Sequence, residues 1–138
     1  MDFPVADEVS VPWESEDIPN EDLLWMRVHR MWFNPDGSII PGVFKNNPTV
    51  QDGMSTDWQK YARLEETRGR AKNPKDNAVI QLVVGEVRRI PDQTVVHTPD
   101  LKTQNRAHSD VFGEKHPEAR LQFSRIYKVV IRLDSRPG

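Results

Sequence analysis

Four histidines, an arginine in an aromatic stretch and one Ser-Thr pair hold most of the chemistry this chain offers. The histidines are His29, His97, His108 and His116, the third beside Ser109 and Asp110. An imidazole changes charge near neutral pH. Two of them with an Arg or Lys to hold an anionic transition state suffice for metal-free RNA cleavage. His29, His97 and His108, with Arg27 and Arg106, supply those residue types, but their spacing does not say whether they converge. The plain alternative is a set of solvated or core-edge histidines satisfied by backbone carbonyls. No two histidines stand in a His-Glu-x-x-His arrangement, and the chain has no Cys. A metal would need His and carboxylates gathered from distant segments, so neither a metal site nor a cofactor is expected. The lack of Cys also excludes disulfides and thiol nucleophiles. Gly37 and Gly42 bracket four residues, but Val43-Phe44-Lys45 follows in place of Lys-Ser/Thr, so no phosphate loop is present. Ser55 lies in no Gly-x-Ser-x-Gly elbow.

Arg27 in a first strand and Ser55-Thr56 some way downstream resemble the Arg and Ser-Thr-Ser elements of ADP-ribosyltransferases. The resemblance implies that Arg27 would bind dinucleotide phosphates and Ser55 would position the nicotinamide ribose. That family also needs a late catalytic Glu. Glu86 and Glu114 are the candidates, and neither sits in a Gln/Glu-x-Glu setting. Ser55, Thr56 and Asp57 as a helix cap are the simpler account of the same residues.

The elements that must position these groups follow from periodicity and turn chemistry. Leu24 to Phe33 is aromatic and apolar with partial alternation, which predicts a strand, closed by the turn Asn34-Pro35-Asp36-Gly37. Residues 38–57 read as loop. A helix is expected within 58–72, where Glu65 and Glu66 precede Arg68 and Arg70. Ala78 to Val84 is nearly continuous apolar text, as for a central strand. Glu86 to Ile90 is expected to form a helical turn, and Gln93–His97 and Ala107–Phe112 short strands. Pro117 followed by Phe123, Ile126, Tyr127 and Val130 predicts a closing helix, with strand as the alternative at Val129-Val130-Ile131. The order suggests a small α+β domain: a mixed or antiparallel sheet of about four strands with two main helices.

Charge is segregated along the chain. Residues 1–22 hold eight acids and no Lys or Arg, whereas residues 23–138 keep all 19 Lys and Arg against 13 acids, a formal +6. An acidic arm over 1–22, a single domain over 23–133 and a frayed tail over 134–138 are therefore expected. Val11, Trp13 and Ile18 are the anchors such an arm would use to dock on a protein partner. The plainer reading is a solvated arm that packs Trp13 on its own domain. Arg63, Arg68 and Arg70, with Lys72 and Lys75, cluster around one expected helix. They could meet a partner or nucleic acid phosphates, though Glu65, Glu66, Asp76 and a pI near 6.1 disfavour nucleic acid. No long apolar run or basic-then-apolar leader occurs, so neither a membrane span nor a signal peptide is expected.

Three segments together resemble a family of small uncharacterised bacterial proteins: Ile18–Leu24 leading into Arg27-Val28-His29, Asp52–Trp58, and Val95–Pro99 followed by Asn105–His108. The family shows segments of the types D-x-L-x-R-R-V-H, S-V-D and N-P-A-H, and this chain departs from them with Thr56 for Val and Arg106 for Pro. The resemblance implies a single-domain bacterial cytoplasmic protein and assigns no catalytic residue. Two functional expectations result. One is a cytoplasmic interaction or accessory module using the acidic N-terminal arm. The alternative is a small metal-independent enzyme acting on RNA or NAD, with His108, His97, His29, Arg27 and Ser55 as candidate catalytic residues.

Overall fold

The computed structural model describes residues 13–48 and 53–134. Six strands, β1 (Leu23–His29), β2 (Met54–Trp58), β3 (Asn77–Val83), β4 (Thr94–His97), β5 (His108–Phe112) and β6 (Lys128–Ile131), form one sheet in the order β4-β5-β2-β1-β3-β6. Every neighbouring pair is antiparallel. Helices α1 (Leu64–Gly69), α2 (Val84–Arg89) and α3 (Pro117–Ile126) complete the regular structure among the described residues. The class is α+β as expected, with a sheet of six strands where about four were anticipated.

Side chains alternate across a pleated strand, and here each face has its own cover. Leu24, Met26 and Val28 of β1 join Met54 and Trp58 of β2 and Ile80 and Leu82 of β3 on the larger face. Val84 and Val87 of α2 and Phe123 of α3 close over them, Phe123 stacking on Phe44 with ring centroids 5.2 Å apart. The opposite face carries a smaller cluster of Trp25, Val79, Ala62 and Ala107. β3 lies between β1 and β6 and is covered on both sides, which explains its near-continuous apolar sequence.

The main departure from the sequence-based expectation lies at 54–72. Met54–Trp58 is a strand between β1 and β5, and the helix is confined to Leu64–Gly69. Ser55-Thr56-Asp57 is no helix cap. Thr56 turns toward the larger face and donates to the Ser109 carbonyl at 2.9 Å, while Ser55 and Asp57 project to the other side. Polar residues are accommodated in this inner strand because neighbouring strands and loops supply partners for their side chains. The closing segment satisfies both expectations in turn: helix over Pro117–Ile126, then strand over Lys128–Ile131.

Residues 13–22 do not stand off from the body as an acidic arm; they pack on it. Ile18 is 4% exposed and belongs to the main core. Ser15 Oγ donates to the His97 carbonyl at 2.6 Å, and Arg88 donates to Ile18 O and Asn20 Oδ1, both at 2.7 Å. Glu16 receives Lys60 Nζ at 2.7 Å and the Tyr61 hydroxyl, with Arg106 at 3.7 Å. Asp22 receives Trp58 Nε1 at 2.9 Å. Lys60 and Arg106 of the body thus neutralise Glu16. Trp13 is half-buried, and Val11 lies outside the described residues. At the other end, Asp134 pairs with Arg68 at 3.0 Å; residues 135–138 also lie outside the described residues.

Candidate functional site

The smaller sheet face holds a cavity of about 930 Å³. Its floor comes from three adjacent strands. β1 contributes Trp25 and Arg27, β2 contributes Ser55 and Asp57, and β5 contributes His108. The register makes this convergence exact: Trp25 pairs with Asp57, Asp57 with His108, and Ser55 with Asp110. One residue of slip in either pairing would turn these side chains toward the core. The walls are residues 45–48, the segment 98–105 and Arg70, just past α1.

Charge in the cavity favours an anion. Arg27, Lys45, Arg70 and Lys102 line it against Asp57 and Asp100. Asp57 is buried and already satisfied, accepting from Thr67 Oγ1 and Asn105 Nδ2, both at 2.8 Å. Arg27 donates to the Thr67 carbonyl at 2.8 Å. Burial lowers its pKa below the ordinary value, Asp57 drawing it back up and Arg70 pressing it down. Arg27 is therefore a partly desolvated cation, and its guanidinium lines the cavity where a ligand phosphate or carboxylate could meet it. Asp100 is occupied by its own loop, accepting from Lys102 N–H and Thr103 Oγ1 at 3.0 Å. Arg70 reaches the same loop through the carbonyls of Thr103 (3.2 Å) and Gln104 (3.4 Å).

His108 Nε2 lies 3.3 Å from Ser55 Oγ. On the other side of the ring, Nδ1 is 2.9 Å from the Thr98 carbonyl, 3.1 Å from Thr98 Oγ1 and 4.0 Å from Asp110 Oδ2. Thr98 Oγ1 in turn donates to Asp110 Oδ2 at 2.9 Å. An imidazole within reach of an exposed hydroxyl, in a cation-rich cavity, is the arrangement needed for proton transfer to or from a bound substrate.

Of the five candidate catalytic residues, His108, Ser55 and Arg27 meet in this cavity; His97 and His29 do not. His97 is 1% exposed on the core side, packed against Trp58 and Tyr61 with ring centroids at 5.1 and 5.9 Å. Its Nδ1 accepts the Glu16 N–H at 3.0 Å and its Nε2 donates to the Arg106 carbonyl at 2.7 Å, so both nitrogens are structural. His29 accepts the Met31 N–H at 3.0 Å and caps a short 3₁₀ turn. Glu86 lies on α2 and Glu114 pairs with the exposed His116 at 2.9 Å; neither lines the cavity.

The basic cluster around α1 divides. Arg63 is exposed, Arg68 donates to the carbonyls of Pro74 and Asn77 at 3.0 Å while paired with Asp134, and Arg70 turns to the cavity. Arg68 thus holds the turn before β3. Trp25, Asp57, Thr98 and Asp110 were missed by sequence reasoning. The alternation of Ser55 and Asp57 about a buried Thr56 was the available signal for the two strand positions. Among the described residues, no group of three His, Asp or Glu is placed to hold a metal ion, and no helix is long and apolar enough to cross a membrane.

No family model, curated protein or solved structure matches the chain.

Proposed function

We propose that the cavity is the active site of a metal-independent enzyme that takes NAD and breaks its N-glycosidic bond. The observation that carries the proposal is the meeting of Arg27, Ser55 and His108, from three adjacent strands, in one cation-rich cavity. Arg27 and Arg70 suit the two phosphates of a dinucleotide. Ser55 suits a hydroxyl of the nicotinamide ribose, as its resemblance to the Ser of ADP-ribosyltransferases implies. As the glycosidic bond breaks, nicotinamide departs with the bonding electron pair and the ribose becomes an oxocarbenium ion. Water or an acceptor hydroxyl then attacks, and its proton passes to His108 Nε2. The chain departs from ADP-ribosyltransferases in that the cavity holds no glutamate for this step, among the described residues, and offers His108 instead.

RNA cleavage by paired imidazoles is the less favoured reading, because only His108 among the histidines lines the cavity. The interaction-module reading rests on anchors that serve other purposes or lie out of view. Ile18 is spent inside its own core, and Val11 falls outside the described residues.

The test is nicotinamide release from NAD by the full-length protein, followed by chromatography, with an RNA oligonucleotide assayed in parallel. Steady release is expected, with Ser55→Ala and His108→Ala each lowering kcat by about 10²-fold or more at unchanged melting temperature. Cleavage of the oligonucleotide with NAD untouched would transfer the site to the RNA reading. Neither reaction, with no binding of NAD by calorimetry, would overturn the proposal.

A further inference from the structure

We infer that Thr98 and Asp110 are positioning residues that fix His108 as a proton acceptor aimed at Ser55 and the cavity. The inference rests on the NAD reading for what His108 does with the proton, but the positioning itself stands on distances alone. A backbone carbonyl can only accept. The Thr98 carbonyl 2.9 Å from Nδ1 therefore favours a neutral ring whose proton sits on Nδ1. The Thr98 hydroxyl is the second neighbour of Nδ1, at 3.1 Å, and its own hydrogen is committed to Asp110 Oδ2 at 2.9 Å. That leaves only an oxygen lone pair for the ring, which tips the balance firmly to Nδ1–H. Asp110 thus sets the direction of the chain of hydrogen bonds from one link away.

The opposite nitrogen, Nε2, is left with its lone pair toward Ser55 Oγ at 3.3 Å. When Nε2 takes a proton, the ring becomes a cation with the Asp110 carboxylate 4.0 Å from Nδ1, on the side away from the substrate. The arrangement has the logic of a base oriented by a third group, with a threonine interposed. Its rigidity comes from the backbone: Thr98 N–H donates to the His108 carbonyl at 3.0 Å, and Asp110 pairs with Val96 on one side and Ser55 on the other. A loop residue and a strand residue are held together by the same ladder that presents the imidazole. Asp110 is buried, so its carboxylate is not a surface charge that happens to lie nearby.

The experiment is long-range ¹H–¹⁵N correlation spectroscopy of the histidine rings in the full-length protein at a pH where His108 is neutral. It is applied to the native chain, Asp110→Asn and Thr98→Val, with NAD kinetics on all three. The native protein is expected to show His108 protonated on Nδ1. Asp110→Asn can donate an amide hydrogen to Thr98 Oγ1, freeing the hydroxyl to donate to Nδ1 and move the ring proton to Nε2. Thr98→Val removes the hydroxyl and weakens the preference by a separate route. In both, kcat is expected to fall at least about tenfold while KM stays within about twofold, because Arg27 and Arg70, the groups proposed to hold the phosphates, are unchanged. A native His108 protonated on Nε2, or the native tautomer retained in both variants, would overturn the inference. Absence of NAD turnover in the native protein would overturn the proposed function instead, with the ring spectra still deciding the positioning.

Discussion

Lys115 gives the sharpest energetic prediction. It is 7% exposed, yet its ammonium is fully engaged: Nζ lies 2.5 Å from Asn46 Oδ1, 2.9 Å from the Val111 carbonyl and 3.0 Å from the Gly113 carbonyl. Asn46 lines the cavity and also donates to Gly113 O at 3.0 Å, so this lysine fastens one cavity wall to the turn after β5. Burial brings its pKa from 10.5 down to about 8, with Asp110 opposing the change. Below pH 8 the folded and unfolded chains both hold the proton, and the cost of burying the charge is constant. Between pH 8 and 10.5 only the unfolded chain holds it. Unfolding then takes up a proton, and the fold gains stability as pH rises; above 10.5 the gain is complete. The gain is about 1 kcal/mol by pH 9 and about 2–3 kcal/mol by pH 10, relative to pH 7. Lys115→Met carries no such proton and serves as the reference that cancels the titration of every other group. Urea unfolding followed by tryptophan fluorescence at pH 7, 8, 9 and 10 should show native stability climbing relative to the variant by these amounts. A difference that stays flat within about 0.5 kcal/mol would refute the reasoning, and with it the view that the buried ammonium is a desolvated one. Hydrogen exchange adds a local readout. A neutral amine has two hydrogens for three acceptors, so protection around Asn46 should decline over the same interval.

Other outcomes follow from the packed leader. Glu16 is held below its usual carboxylate pKa chiefly by Lys60 and then by the Tyr61 hydroxyl, so its contribution is complete above pH 4.5 and lost as pH falls through the lowered folded value. Hydrogen-exchange protection over residues 13–18, taken relative to the intrinsic rate at each pH, should therefore fall in acid, and Glu16→Gln should show the lower protection already at pH 7; equal protection in the variant would argue that the tie to Lys60 and Tyr61 is idle. His97→Leu should destabilise by about 2–4 kcal/mol in thermal or urea unfolding, since it strands the Glu16 N–H and the Arg106 carbonyl inside the fold, whereas a loss below about 0.5 kcal/mol would show those bonds to be replaceable by water.

Much of the frame could be read from local text, since local forces decide it. The turn at Asn34–Gly37, the helix opened by Pro117 and the inner strand β3 each carry their own signal: a φ preset by Pro, a spacing of three and four, an unbroken apolar run. The site was legible only as residue types. His29, His97 and His108 look alike in sequence. Their roles separate because His29 faces a turn, His97 projects into the core between two aromatic rings, and His108 projects from the other side of the sheet. Residues 13–22 differ from expectation for a related reason. Their charge pattern predicts a solvated arm, and nothing local reveals that Lys60, Tyr61, Arg88 and Arg106 wait at the right places to receive them.

By itself the amino-acid sequence determined the α+β class, the absence of thiol chemistry and an inventory that included Arg27, Ser55 and His108. Tertiary structure decided that these three share a cavity. The reason is the period of two in a pleated strand. Whether Ser55 faces ligand or core depends on the pairing of β2 with β1 and β5, and that register is set by apolar partners up to half the chain away.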